Sequence, residues 1–231
     1  MKITLAQLNY HIGNFEDNIA KVISAIHQSK KEGSDLIVFS ELSICGYPPR
    51  DFLEFNDFIA ACERGIEEIA HECQGIAAII GAPSKNTTSK GKSLFNSAYF
   101  LSGGQVTSVH HKCLLPTYDI FDEYRYFEPG SACEVVEYQG LKIAITVCED
   151  LWNVGDNPMY VSSPMDELML GSPEVIINIS ASPFSSGHRV DRVEAFKENA
   201  LKYNLPIVFV NHVGAQTELI FDEGSFVMNA S

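Results

Sequence analysis

Leu141-Lys-Ile-Ala-Ile-Thr-Val147 runs straight into Cys148-Glu-Asp-Leu-Trp152. The first stretch is apolar and β-branched, which reads as a buried strand, and the thiol stands where that strand stops. A nucleophile is well displayed there, because the scaffold is rigid and the side chain opens beyond the carboxyl ends of the strands. Two charged residues hold matching positions. Glu41 follows the run Asp35-Leu-Ile-Val-Phe-Ser40, and Lys112 follows Gln105-Val-Thr-Ser-Val-His-His111. A carboxylate, an ammonium and a thiol at three strand ends supply the groups for thiol-based acyl transfer. In that reading Glu41 is the general base, Lys112 holds the oxyanion and Cys148 attacks.

Around these points the chain alternates strand and helix. Ile3–Leu8 reads as a strand, and Asn14 as the cap of a helix from about Phe15 to Gly33, with Ile19, Val22, Ile23 and Ile26 on one face. Residues 35–40 and 76–81 read as strands on either side of a helix at about 57–73, and 85–92 as a solvated loop tip. Gly103-Gly104 and Gln139-Gly140 each turn a hairpin, joining 94–101 to 105–111 and 134–138 to 141–147. Val175–Ile179 is a further buried strand, Val193, Phe196, Ala200 and Tyr203 mark a helix, and 207–213 and 219–228 supply the last strands. This order predicts an α/β fold with helices covering one face of each of two mixed sheets.

The 231 residues suit one domain, 1–231, with neither an internal repeat nor a Pro/Gly/Ser-rich linker. A formal charge of -14 disfavours nucleic acid and anionic membranes as partners, since both call for basic patches. Six scattered cysteines without a Cys-x-x-Cys pair, a start at Met1-Lys-Ile-Thr without a secretory pattern, and no apolar run of membrane-spanning length predict a cytoplasmic protein. The end at Ser231, straight after a strand-like segment, predicts a fragment of a longer chain.

The longer context of the three residues carries a resemblance. Glu41 opens Glu-Leu-Ser-Ile-Cys-Gly-Tyr-Pro-Pro-Arg-Asp-Phe-Leu53, Lys112 opens Lys-Cys-Leu-Leu-Pro-Thr-Tyr-Asp-Ile-Phe-Asp-Glu-Tyr-Arg-Tyr-Phe127, and Cys148 opens Cys-Glu-Asp-Leu-Trp152. In this order the segments resemble the nitrilase superfamily of carbon–nitrogen hydrolases and its Glu-Lys-Cys triad. Gly46–Asp51, Phe121–Phe127 and Cys148–Trp152 are similar to the glutaminase domains of glutamine-dependent NAD synthetases. The resemblance implies a four-layer α-β-β-α sandwich that hydrolyses L-glutamine to glutamate and ammonia through a cysteine thioester. The ammonia would amidate deamido-NAD in a C-terminal synthetase domain that this sequence lacks. It also implies a homo-oligomer built through the sandwich, no cofactor for the glutaminase step, and ATP and Mg for the synthetase domain alone.

The resemblance assigns further residues. Glu123 matches a second glutamate that positions Lys112 and substrate. Tyr118 and Ser182 match positions that contact glutamine, and Tyr47 and Trp152 wall the same pocket. Where the family commonly has Gly-Lys-Arg, this chain has Gly187-His188-Arg189, so His188 would meet the substrate's α-carboxylate with a titrating group.

Two signals are set aside. His110, His111 and Cys113 are dense in metal-ligating atoms, but neighbouring strand residues point to opposite faces and no second Cys/His pair at zinc spacing follows, so no metal site is assigned. No Gly-x-Gly-x-x-Gly or Gly-x-x-x-x-Gly-Lys-Ser/Thr loop is present for nucleotide phosphates. Two alternatives stay open: a stand-alone amidase or carbamoylase of the same superfamily, and a catalytically silent assembly module.

Overall fold

The computed structural model describes every residue except Ala132, Asp156, Asn157 and Ser231, and every side chain of the rest except those of His188 and Arg189. In chain order the elements are β1 (Ile3–Leu5), α1 (Phe15–Lys31), β2 (Leu36–Val38), α2 (Asn56–Glu72), β3 (Ala77–Lys85), β4 (Leu94–Ser102), β5 (Gln105–His111), β6 (Val136–Tyr138), β7 (Leu141–Val147), α3 (Pro164–Leu168), β8 (Val175–Ile179), α4 (His188–Tyr203), β9 (Ile207–Val210), β10 (Val213–Gln216), β11 (Leu219–Asp222) and β12 (Phe226–Met228).

Among the described residues the strands form two five-stranded mixed sheets, ordered β1-β2-β3-β4-β5 and β12-β9-β8-β7-β6. The first three strands of one sheet pair in parallel, as do β7, β8 and β9 of the other. Hairpin partners add the antiparallel edges. The inner parallel strands β2, β8 and β9 are buried throughout, on both faces, and this explains their largely apolar runs. Successive side chains alternate between faces. In β2, Leu36 and Val38 join the layer between the sheets, and Ile37 packs with α1 and α2. In β7, Ile143, Ile145 and Val147 fill that same middle layer, whereas Ala144 meets Phe196, Ala200, Met165 and Leu168 from α4 and α3. The layer order is therefore α-β-β-α, as the sequence predicts.

Several local expectations need correction. α1 does begin at Phe15, but the Asn14 side chain makes no capping hydrogen bond. One turn later, Asn18 accepts from the His11 N–H at 2.9 Å and donates to its carbonyl, taking over the anchoring. β3 extends to Lys85, into the stretch read as a loop tip, because every residue from Ala78 to Lys85 finds a partner on β4. The run 219–228 divides. β11 pairs with β10 in a separate hairpin, whereas β12 crosses to the edge of the second sheet beside β9. The short helix α3 was not visible in the periodicity, since five residues are too few to show one.

Candidate active site

Glu41, Lys112 and Cys148 each stand just beyond the carboxyl end of a strand, and the fold brings the three ends together across the sheet interface. Glu41 and Lys112 follow β2 and β5 of one sheet, and Cys148 follows β7 of the other. Cys148 has φ +44, a left-handed conformation that costs a non-glycine residue on the order of 1–3 kcal/mol. The strand thus ends in a sharp turn with the thiol at its apex, as the opening motif predicts. Leu42, directly after Glu41, adopts φ +47.

Asp150 fixes the turn. Its Oδ2 accepts the Val147 N–H, and its Oδ1 accepts the N–H groups of Cys113 and Leu114, all at 2.9 Å. One carboxylate therefore ties the backbone just before Cys148 to the segment just after Lys112. Burial pushes Asp150 up to about 6, opposed by these three amides.

Lys112 is fully buried between two carboxylates. Its Nζ donates to Glu41 Oε1 at 2.8 Å and to Glu123 Oε1 at 2.9 Å, and Glu123 Oε2 lies in ion-pair contact at 2.8 Å. Burial alone would depress the ammonium, but Glu123 and Glu41 hold it well above the ordinary lysine value. An ammonium carries three hydrogens. With two committed to carboxylates, one is left for a substrate oxygen.

Burial drives Glu123 up to about 7, with Lys112 pulling it down and Glu41 pushing it up. Tyr47, expected as a pocket wall, does more than line a surface: its hydroxyl donates to Glu123 Oε1 at 2.9 Å. Tyr47 and Glu123 both border a cavity of about 330 Å³ shaped by residues 47–53 and 120–127, and Cys148 is not part of that lining.

Glu41 is wholly buried and held at both oxygens. Oε1 accepts from Lys112 Nζ and, at 2.7 Å, from Asn96 Nδ2, and Oε2 accepts the Ala181 N–H at 2.8 Å. Its backbone carbonyl accepts from His212 Nε2 at 2.7 Å. Burial lowers His212 to about 4, so that ring is neutral and its one N–H lies on Nε2. Cys148 is buried, 5% exposed as a residue. Burial, and next the charge of Glu41, raise its pKa well above the ordinary value, with Lys112 opposing. At rest the sulfur is protonated, and attack requires a base.

Beyond the sulfur lies a second polar group. Glu149 accepts from the Tyr118 hydroxyl at 2.9 and 3.0 Å and from the Tyr160 hydroxyl at 3.0 Å. Burial raises its pKa, and among the described side chains it has no ion-pair partner. The Tyr118 hydroxyl is thus bonded to Glu149, a residue that the sequence reading quoted but left without a role. Trp152 is half-buried on the same turn, its N–H bonded to the Glu149 carbonyl.

Ser182 is buried just past β8. Its N–H and carbonyl are both clasped by the Asn211 side chain, at 2.8 and 3.0 Å. The side chain of His188, the first residue of α4, lies outside the described residues. His110 and His111 part as strand neighbours should: His111 bonds Ser97 and stacks on Phe95, whereas His110 bonds Ser108.

Sequence reasoning missed Asn96, Tyr160, Asp150 and His212. Only Asn96 gave a usable signal, as a lone amide in the apolar run Leu94-Phe-Asn-Ser-Ala-Tyr-Phe-Leu101, where an uncompensated polar group would be costly.

The chain belongs to the carbon–nitrogen hydrolase family, whose profile matches residues 2–230, and it is accordingly an enzyme of that class. Within the family its relatives include the glutamine-dependent NAD(+) synthetases of Synechocystis sp., 39% identical over 235 residues, and of Thermotoga maritima, 36% identical over 234. The alignments take in 99% and 100% of this chain but 42% and 38% of those relatives, so the chain spans about two fifths of their length. The solved glutamine-dependent NAD+ synthetase of Acinetobacter baumannii superposes with a TM-score of 0.88 at 35% identity, covering 99% of this chain and 41% of that one. An amidase from Nesterenkonia sp. shares the fold, with a TM-score of 0.82 at 20% identity over 100% of this chain and 82% of that one. No described helix is long and apolar enough to cross a membrane.

Proposed function

We propose that this chain is a glutaminase module that hydrolyses L-glutamine to glutamate and ammonia. Cys148 attacks the side-chain amide carbon while Glu41 takes the thiol proton. The oxyanion of the tetrahedral intermediate accepts the remaining Lys112 hydrogen, a donor fixed in place before reaction. Glu41 then returns the proton to the departing ammonia, and a γ-glutamyl thioester remains. Water, deprotonated by Glu41, attacks the thioester to release glutamate and restore the thiol. Glu123, steadied by Tyr47, keeps Lys112 charged and aimed.

The step as drawn calls on the thiol, carboxylates and ammonium alone. ATP and Mg belong to the synthetase reaction, in which a C-terminal partner domain would use the ammonia to amidate deamido-NAD. That coupling is supported by the relatives' names and greater length, and assembly into a homo-oligomer through the sandwich is part of the same proposal.

One observation favours an amino-acid amide over a simple amide: Glu149, next to the nucleophile, is buried, presented by two tyrosines and without an ion-pair partner among the described side chains. Such a carboxylate is suited to an α-ammonium group. Ser182, Trp152 and His188 belong to the neighbouring segments and complete the proposed substrate contacts.

The test is an ammonia-release panel of glutamine, asparagine, simple ω-amides and N-carbamoyl compounds. Glutamine should be preferred, and Glu149→Gln should raise KM for glutamine while leaving simple amides unaffected. A preference for simple amides or carbamoyl compounds, unmoved by Glu149→Gln, would overturn the assignment. A glutamine-mimicking electrophile should label Cys148 ahead of the five other thiols.

A further inference from the structure

Asn96, in the middle of β4, touches Glu41, Lys112 and Glu123 without carrying a charge itself. Its backbone carbonyl accepts the Lys112 N–H at 2.8 Å. Its single amide nitrogen donates one hydrogen to Glu41 Oε1 at 2.7 Å and the other toward Glu123 Oε2 at 3.3 Å. The side chain is wholly buried, and its own Oδ1 has no hydrogen-bond partner among the described residues. A buried amide normally satisfies both ends. Here the acceptor end goes unmet so that both donor hydrogens reach carboxylates. Turning the amide over would aim Oδ1 at two carboxylates, so the acids dictate its orientation.

The arrangement has a consequence for proton transfer. A carboxylate offers about four lone-pair positions, two on each oxygen. On Glu41, Oε1 spends both of its positions, on Lys112 and on Asn96, and Oε2 spends one on the Ala181 N–H. The remaining position lies on Oε2.

We propose that Asn96 is a positioning residue that closes Glu41 Oε1 to protons, so that the thiol proton is taken up and returned through Oε2. Each transfer balances. The S–H bond of Cys148 breaks as an O–H bond forms on Oε2, and that proton later passes to the leaving nitrogen. The inference rests on the glutaminase reading for its substrate but on the geometry of Asn96 for its mechanism.

The experiment compares Asn96→Ala and Asn96→Ser with Ser97→Ala, a buried neighbour on β4 that bonds Ser84 and His111 and touches neither acid. Two readouts are taken over pH: kcat and KM for glutamine, and the rate at which iodoacetamide alkylates Cys148. Losing a hydrogen bond to a charged group should lower kcat by ~10- to 100-fold, with KM little changed. It should also move the acid limb of both profiles upward by about one pH unit, and Ser97→Ala should leave the limb in place. If Asn96→Ala fails to fold, the smaller change in Asn96→Ser is read in the same way.

An acid limb that stays at the wild-type pH in a folded Asn96 variant, or moves equally in Ser97→Ala, would overturn the proposal. Alkylation needs no glutamine. A wild type that alkylates with the expected limb but releases no ammonia would sink the substrate assignment and leave the role of Asn96 standing.

Discussion

Gly81→Ala is the sharpest test of how tightly Glu41, the proposed general base, is seated. Gly81 lies in β3 directly against the chain at Glu41. A Cβ built on it would sit 2.7 Å from both the carbonyl carbon and the Cα of Glu41, and closer still to the Leu42 nitrogen. Unstrained carbon–carbon contacts fall at about 3.5–4.0 Å, so β3 and the Glu41 backbone must part by roughly 1 Å. The backbone of Gly81 is in a conformation open to any residue, so the change is steric alone.

Overpacking of this kind costs ~1–3 kcal/mol. For a chain of this size that is a loss of roughly 2–12 °C in melting temperature, which leaves the protein folded at room temperature. Catalysis should suffer more. Glu41 is gripped at both oxygens within 2.8 Å, and a misplacement of about 1 Å typically lowers turnover by on the order of 100-fold. The assay pairs ammonia release from glutamine with a thermal melt and far-ultraviolet circular dichroism. A folded Gly81→Ala protein that turns over at more than about a third of the wild-type rate would refute the claim that this approach seats Glu41.

Three further outcomes follow from the same geometry. Cys148→Ala should abolish ammonia release while leaving circular dichroism and melting unchanged, and equal release from mutant and wild type would remove the sulfur from the mechanism. Asp150→Asn replaces one of the two oxygens that bind three backbone N–H groups with an NH₂, so urea denaturation at pH 8 should show a loss of about 2 kcal/mol or more, and a loss below ~0.5 kcal/mol would contradict its bracing role. His212 is held at about 4 when folded, against 6.5 free. An unfolded chain therefore takes up the proton first, so the stability tied to the neutral ring is full above pH 6.5 and declines as pH falls toward 4. Between pH 7 and pH 5 the stability gap between wild type and His212→Gln should change by ~2 kcal/mol in the mutant's favour, and a pH-independent gap would count against a buried neutral ring.

The strand ends were legible because their signal is local. A β-branched run broken by a charged or reactive residue marks both a buried strand and its exit, and this placed Glu41, Lys112 and Cys148 from the sequence. The two sheets followed from the alternation of such runs with amphipathic helices. Residues whose role depends on what approaches from far along the chain were hidden. Ala181 serves Glu41 through its backbone N–H, which no side-chain pattern records. His212 reaches the Glu41 carbonyl across 171 residues of sequence. Tyr47 read as an aromatic wall because burial and resemblance say nothing about where a hydroxyl points, and its bond to Glu123 appears only once 76 residues of chain have folded back. The split of 219–228 between two pairing partners failed for the same reason, since a strand's neighbours are set by topology rather than by its own composition.

The division of reactive groups between the two sheets gives turnover a diagnostic use. The acid and the ammonium ride on one half of the chain and the sulfur on the other, so neither half can be partly active alone. Hydrolysis therefore gauges how the halves dock: a trimmed side chain in the middle layer, such as Ile79 or Ile177, should erode rate before it erodes folding. Two separately expressed pieces, cut in the stretch after Lys112, would form a complementation pair whose activity reappears only on reassociation.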